Sequence, residues 1–274
     1  MRIRQKRNKR KKASAALKND NIYPNKVFYF LKKKKFEKRR KFFRYYGNKI
    51  TLLVPSDFSI SDNPNETIDF LQELYYCGSK LDIKEINIDH SECYNLEIAA
   101  STIIDVIVLA IKEFYRKNKT DINFSGTIPA EGRVKDVFMA SGLAAHMDLD
   151  MEQGVSIDWE KIRRFKLISG YHQSEVSGIT ATKLTEYIID CMETQGYTLK
   201  SRGKSLLGSL FGEVLDNCEI HGGADTTWFA LGHYQQYKSS EEYGEIQLVI
   251  FDFGDTIYEQ LMASITFEEE KEKL

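Results

Sequence analysis

The sequence predicts an α/β fold, because strand-like and helix-like hydrophobic patterns alternate along most of its 274 residues. A chain of this length that is 42% hydrophobic can bury the core of one large domain or of two small ones. The longest apolar run, 103–111, is about half as long as the roughly 20 residues that a membrane-spanning helix needs, so no transmembrane segment is predicted. The four cysteines form no CxxC pair, which favours neither a zinc site nor a disulfide framework and indicates a reducing, cytoplasmic setting.

A near-neutral total charge conceals two oppositely charged parts. Residues 1–46 hold 19 of the 39 Lys and Arg residues and two of the 40 acidic residues, which leaves 20 basic and 38 acidic residues for the rest. We predict a basic, partly disordered arm over 1–46, of net charge +17, on an acidic body of net charge −18. Within the arm, 26–46 interleaves eight aromatic rings with ten cations, a composition that suits base stacking, a membrane surface or docking onto the acidic body.

The first half of the body shows three strand–helix repeats. A buried strand is predicted over 50–54 and a helix over 65–76, with Pro64 and Asn65 marking the start of the helix. A second strand and a long apolar helix follow over 83–88 and 96–115. The third repeat is a strand over 121–124, closing at Ser125-Gly126, and a helix over 130–142. Strands separated by helices of this length favour helices packed on a sheet.

Two segments of this region, IKEINIDHSECYNLEIAAS and INFSGTIPAEGRVKDVFMASGL, resemble a STAS-like domain, the fold of anti-sigma-factor antagonists, over 48–147. In that family a regulated phosphoacceptor serine begins the helix that follows the second strand. Here Asn95, Leu96 and Glu97 stand at that position, which argues against a phosphorylation switch there. Ser91 lies nearby, but a serine in such a loop is more typical of a turn or cap.

The second half of the body begins after a polar transition. An edge strand is predicted over 165–169, and an amphipathic helix over 181–195 buries Leu184, Tyr187, Ile188 and Cys191. Two further strands, 226–234 and 245–252, are joined by a polar loop as in a hairpin.

The segment SLLGSLFGEVLDNCEIHGG, 205–223, contains the residues that suggest chemistry. Its apolar residues recur as adjacent pairs every four positions, which predicts one helix face in a core: Leu206, Leu207, Leu210, Phe211, Val214, Leu215 and Cys218. Glu213 and Asn217 lie one turn apart on the flank of that stripe, with Asp216 beyond them. A carboxylate and an amide so placed can together meet a magnesium-bound phosphate and its attacking group.

The last predicted strand ends in FDFGDTIYE, where Asp252 supplies an acceptor and Gly254 allows close approach of the backbone to a ligand. The order of helix, hairpin and Asp-x-Gly resembles the GHKL ATPases, and most of all the anti-sigma-factor serine kinases, over 165–274. The resemblance implies ATP and Mg²⁺ as ligands, with Glu213 as general base, Asn217 on the metal and Asp252 on the adenine amino group. It also implies that Gly254 lets the base lie close, while Asp216, His221 and Gly222 shape the edge of the pocket.

The sequence departs from that family in two places. Thr256 stands where the family has a second glycine, and its branched side chain restricts the backbone. The family also continues into a lid and a second Gly-rich loop that closes over the phosphates, and 256–274 contains no glycine. The expectation is therefore that this chain is a fragment of a longer protein, with a GHKL fold that has lost its nucleotide role as the alternative.

These observations predict an ATP-binding regulatory protein that joins a STAS-like module to a GHKL module. It would act in bacterial signalling as a protein kinase or as an ATP-gated switch on a partner protein. Two alternatives stay open: a non-catalytic interaction scaffold, and a nucleic-acid-binding regulator that works through residues 1–46. The partner, the choice between kinase and ATPase, and the assembly state, including a homodimer, are also open.

Overall fold

A computed structural model describes residues 42–130, 132–149, 162–171, 176–221, 227–236 and 244–254. Packing divides the chain into two compact units, residues 1–155 and 156–274. Helices combine with a largely parallel sheet in the first unit, so the predicted α/β class is confirmed. Among the helices of the described ranges, none is long and apolar enough to cross a membrane.

The first unit alternates strands and helices as the sequence predicts. Its strands in the described residues are β1 Phe43–Tyr46, β2 Lys49–Leu53, β3 Asp57–Phe58, β4 Glu85–Asp89, β5 Asn95–Leu96, β6 Asn123–Thr127 and β7 Asp148–Leu149. Its helices there are α1 Pro64–Gly78, α2 Ile98–Lys117, α3 Gly132–Ser141 and a 3-10 turn, Leu143–His146. Six of these elements match predicted strands or helices, and their observed ends differ from the predicted ends by one to three residues.

The main sheet of this unit has the strand order β1-β2-β4-β6-β7. Strands β2, β4, β6 and β7 run parallel, while β1 is antiparallel to β2 through a two-residue turn. Gly47 begins that turn at φ +65°, a conformation that glycine adopts without the steric cost of a Cβ. The two-residue strands β3 and β5 pair separately and in parallel.

The two faces of the main sheet have different environments. One face carries the apolar residues of every second position, of which Ile50, Ile88 and Phe124 are at most 1% exposed. The ammonium of Lys112, on α2, lies 5.8 Å from the centre of the Phe124 ring, which places that helix on the apolar face. The alternate positions are half-buried or exposed and form what we name the open face: Lys49, Thr51, Glu85, Asn87, Asp89, Asn123, Ser125 and Thr127.

Two expectations for this unit were wrong in detail. Ser125-Gly126 does not end the third strand but lies inside β6, paired with β4 and β7. Gly126 is buried there, and a Cβ on it would lie 2.6 Å from the Ile88 carbonyl oxygen and would overlap Met147 Cε. The long helix begins at Ile98 rather than at Leu96, because Leu96 pairs in β5.

The last residues of the predicted basic arm belong to this unit. Phe42 is 7% exposed and packs edge-on against Phe70 of α1 at 6.0 Å, and its N–H donates to Glu73 Oε2 at 3.1 Å. Strand β1 then adds the next four residues to the edge of the sheet. Docking of the arm's aromatic residues onto the body, one of the open alternatives, is therefore seen at Phe42.

A carboxylate at the start of α2 forms hydrogen bonds with the loop between β3 and α1. Glu97 precedes the helix in an extended conformation, and its Oε2 accepts hydrogen bonds from Ser59 Oγ at 2.9 Å and from the N–H groups of Ile60 and Ser61 at 2.5 and 3.1 Å. Its Oε1 accepts another from Ser61 Oγ at 3.1 Å. The negative charge is also favourable at a helix N-terminus.

The described part of the second unit is a three-stranded antiparallel sheet with two helices. The elements are β8 Ile162–Tyr171, α4 Val176–Glu193, α5 Ser201–His221, β9 Thr227–Gln236 and β10 Gly244–Asp252. The strand order β10-β9-β8 confirms both the predicted hairpin and the predicted edge strand. Both helices pack on one face of this sheet, around the buried cluster Ala181, Leu184, Phe211, Leu215, Trp228 and Ala230.

Only half of the stripe predicted for α5 lies in that core. Phe211 and Leu215 are 6% and 0% exposed, and Leu207 and Cys218 pack beside them. Leu206 and Leu210, in contrast, are 62% and 56% exposed. Each adjacent pair spans about 100° of the helix circumference, and α4 with the sheet covers only the side of the second member. The prediction that Leu206 and Leu210 are buried was therefore wrong.

Candidate functional site

The candidate site is built on α5 and on the end of β10. Helix α5 packs its buried side against α4, β9 and β10, so its opposite side is free to carry polar groups. Glu213 and Asn217 lie there, one turn apart, and Asp216 beside them; all three are exposed. Ile220, one turn beyond Asp216, is 62% exposed. The exposed side of α5 thus combines two carboxylates and an amide with apolar neighbours.

Asp252 ends β10 on the sheet face that α5 covers. The alternate residues Leu248 and Ile250 pack against the helix-facing core, and Asp252 continues that side of the strand. The side chain is half-buried, and its Oδ1 accepts a hydrogen bond from the Gly254 N–H at 2.6 Å. This bond orients the carboxylate and engages one of its two oxygens. Gly254 itself is half-buried, at the turn that follows.

The structure brings Asp252 against α5 at Cys218. Burial, a hydrogen bond to Asp252 and the negative charge of that carboxylate together raise the pKa of the Cys218 thiol to about 12. This thiol is therefore protonated at neutral pH and can donate to the carboxylate. Cys218 follows Asn217 directly, so Asp252 lies near the Asn217 flank of α5, whereas Glu213 lies on the side of the helix that faces away from the sheet.

Two predicted site residues fall at the edge of the described chain. His221 is the last residue of α5, and Gly222 lies outside the described residues, as does Thr256. The structure thus places Glu213, Asp216 and Asn217 on the exposed side of α5, and Asp252 and Gly254 at the end of β10; of the α5 residues, Cys218 is the one that Asp252 meets. Sequence reasoning missed Cys218 as a neighbour of Asp252, because it was assigned to the apolar stripe alone.

On the opposite face of the second unit's sheet is an aromatic cluster. The rings of Phe229 and Phe251 stack at 5.3 Å, and Phe253 meets both edge-on at 6.3 and 5.5 Å. Phe253 is 9% exposed, so the residues on each side of Asp252 are held by ring packing. This packing fixes the strand end from which Asp252 projects toward α5.

The histidines have separate structural roles in the described residues. His90 is fully buried against Phe138, with ring centres 4.7 Å apart, and burial lowers its pKa to about 4. His146 Nδ1 lies 2.5 Å from Oδ1 of Asp105, a side chain that is 1% exposed. His233 is buried in β9, and His172 lies outside the described residues. In the part of the chain that the structure describes, no cluster of three or more His, Cys, Asp or Glu residues could hold a metal ion.

The residues present fit one end of a nucleotide better than the other. A half-buried, oriented carboxylate such as Asp252 can accept from an exocyclic amino group, and Gly254 leaves space beside it. At the other end, the amide oxygen of Asn217 is one oxygen ligand, whereas Mg²⁺ requires six, most of which phosphates and water would supply.

We compared the chain with known proteins. Neither a protein-family model, nor a curated protein, nor a solved structure matches it.

Proposed function

We propose that the second unit is an ATP-binding module of the GHKL kind and that the protein is a regulatory, cytoplasmic partner switch or protein kinase. The observation that carries the proposal is the position of Asp252, oriented by Gly254 and directed at α5 beside Cys218. Five elements in the order strand, helix, helix, hairpin bring that carboxylate next to the helix that bears Glu213 and Asn217. If Glu213 and Asn217 were only solvent-exposed residues of α5, nothing would require Asp252 to lie against the same helix.

Each residue has one role in this proposal. Asp252, held in place by the Gly254 N–H, accepts a hydrogen bond from the adenine amino group. Asn217 donates its side-chain oxygen to Mg²⁺, which when bound supplies the positive charge that phosphate transfer requires. Glu213 takes the proton from an attacking water or protein hydroxyl, and its exposure lets a partner's side chain reach it.

We propose that the first unit is a STAS-like module that supports this role through protein contacts. The largely parallel sheet, with a long helix following the polar loop after β4, supports that assignment. Glu97 caps the helix where the family has its regulated serine, and four hydrogen bonds engage its carboxylate. We therefore propose that this module is not switched by phosphorylation at that position.

Calorimetric titration with ATP, with and without Mg²⁺, tests the nucleotide site. Asp252→Asn keeps the size of the side chain and an oxygen for the Gly254 N–H but loses the negative charge, so we expect it to weaken ATP binding by about tenfold or more. Asp190→Asn, an exposed acid on α4, is the matched control and should bind ATP normally. Unchanged binding by Asp252→Asn would refute the assignment.

Glu213→Gln separates catalysis from binding. A general base contributes about 10²- to 10⁴-fold in rate, so this variant should bind ATP but lose turnover to that extent. Glu186→Gln, an exposed glutamate on α4, is the control. Normal turnover by Glu213→Gln would exclude Glu213 as the general base, and binding without turnover in the native protein would favour the ATP-gated partner switch over the kinase.

A further inference from the structure

The open face of the first unit's sheet is a polar surface that the proposed nucleotide site does not use. Its mid-strand residues Thr51, Asn87 and Ser125 are half-buried, and at the starts of β2 and β4 the side chains of Lys49 and Glu85 are 45% and 31% exposed. Central strand positions covered by other elements would be buried, as those on the opposite face are. This face is therefore available to a partner.

Polar side chains on three neighbouring strands form a row across the open face. Thr51, Asn87 and Ser125 are adjacent positions of β2, β4 and β6. Ser125 Oγ lies 3.1 Å from both Asn87 Oδ1 and Glu85 Oε1. The Asn87 oxygen is thus engaged, while its amide nitrogen forms no hydrogen bond with another described residue and can donate outward.

Strand β1 adds an aromatic ring and a cation to the same face. Tyr46 lies opposite Lys49 and Arg44 lies opposite Thr51 in the antiparallel pairing, so their side chains share the open face. Tyr46 is 65% exposed and Arg44 is also exposed. An exposed ring beside a guanidinium on a flat sheet is a platform on which bases can stack.

The charge of this region favours a polyanion. The ammonium of Lys49 lies 2.5 Å from Glu85 Oε1, and this hydrogen bond lowers the pKa of Glu85 and neutralises its charge. Residues 1–41, which lead directly into β1, hold 18 Lys and Arg residues against two acidic residues. That segment carries enough positive charge to neutralise several phosphates, whatever its conformation.

We propose that the open face, with Tyr46 and Arg44 at its edge, binds single-stranded nucleic acid, whose backbone is neutralised by the basic residues before β1. A single strand is favoured because its base faces and edges are accessible to a flat sheet, whereas those of a duplex are stacked and paired.

Fluorescence anisotropy of the full chain with labelled oligouridylate and oligothymidylate of about 20 nucleotides tests the proposal. Tyr46→Ala removes the stacking ring and should weaken binding by about 5- to 150-fold. Asn87→Asp keeps the oxygen for Ser125 but places a charge in the middle of the face, and should weaken binding by about fivefold. Tyr76→Ala and Asn65→Asp, both exposed on α1, are the matched controls and should leave binding unchanged.

Each other outcome overturns the proposal. If all four variants bind equally and affinity only falls with salt, the basic segment alone holds the nucleic acid and the open face is not involved. Equal affinity for a duplex of the same length would exclude base stacking. Binding to phosphatidylserine vesicles with none to oligonucleotides would assign the basic residues to a membrane. ATP binding is measured separately, so failure here leaves the proposed nucleotide site untouched.

Discussion

Replacing His146 with alanine should destabilise the first unit by about 3 kcal/mol. The Asp105 carboxylate is 1% exposed, its Oδ1 lies 2.5 Å from His146 Nδ1, and its Oδ2 has no hydrogen-bond partner among the described residues. A buried polar group that loses its hydrogen-bond partner costs about 1–3 kcal/mol, because its desolvation is no longer compensated. Both oxygens of Asp105 would then lack a hydrogen-bond partner among the described residues, so the upper end of that range applies.

Urea unfolding followed by two probes measures this effect in the right unit. Both tryptophans, Trp159 and Trp228, belong to the second unit, so their fluorescence reports on that unit and far-ultraviolet circular dichroism reports on both. With an m value of about 2 kcal/mol per molar urea, the first unit's midpoint should fall by about 1.5 M. The fluorescence transition should not move.

A double variant tests the reasoning itself. Adding Asp105→Val to His146→Ala removes the unsatisfied carboxyl group, so the double variant should be more stable than the single one. Asp121→Asn, an exposed acid before β6, is the control and should change stability by less than about 0.5 kcal/mol. A loss below about 1 kcal/mol for His146→Ala, or a double variant no more stable than the single, would refute the argument.

Three other predictions concern the first unit. Because burial holds the pKa of His90 at about 4, below 6.5 in the unfolded chain, stability should fall by roughly 3 kcal/mol as the pH drops from 6.5 to 4. In urea unfolding, His90→Leu should lose roughly 3 kcal/mol less stability than the native protein over this pH range. An unchanged pH dependence of the unfolding free energy would show that His90 is not its source. Gly126→Ala places a Cβ against the Ile88 carbonyl and should cost about 2 kcal/mol in the same assay; native-like stability would show that the strands can shift. Glu97→Ala frees the loop at Ser61, so we expect about 2 kcal/mol lower stability and faster limited proteolysis there; an equally protected loop would mean that other contacts hold it.

The sequence predicted the longer elements because their patterns are periodic. Helices such as α1 and α4 bury residues at three- and four-residue spacing, which can be read directly. The strands β3, β5 and β7 contain two residues each, too few for any pattern. Strand β1 was missed for a different reason, since its FRYY composition continues that of the basic segment before it.

The order of the candidate site residues along the chain could be predicted, but the residues that they contact in the fold could not. Glu213, Asn217 and Asp252 follow from helix spacing and a strand end, both of which are local signals. Contacts between distant residues leave no such signal. Asp105 and His146 are 41 residues apart, and nothing in the sequence near either residue indicates that they meet. Likewise, the exposure of Leu206 depends on which side of α5 packs against α4 and the sheet, and that is a contact between distant residues.

The edge position of β1 determines how the basic residues can be removed without harming the protein. Truncation after residue 46 would also delete Phe42 and its contacts with α1, and it would strip β2 of its neighbour. The uncovered strand would present a row of unpaired N–H and C=O groups, which is a template for aggregation between chains. A deletion that ends at Lys41 removes 18 of the Lys and Arg residues and keeps β1 paired with β2 at the edge of the sheet.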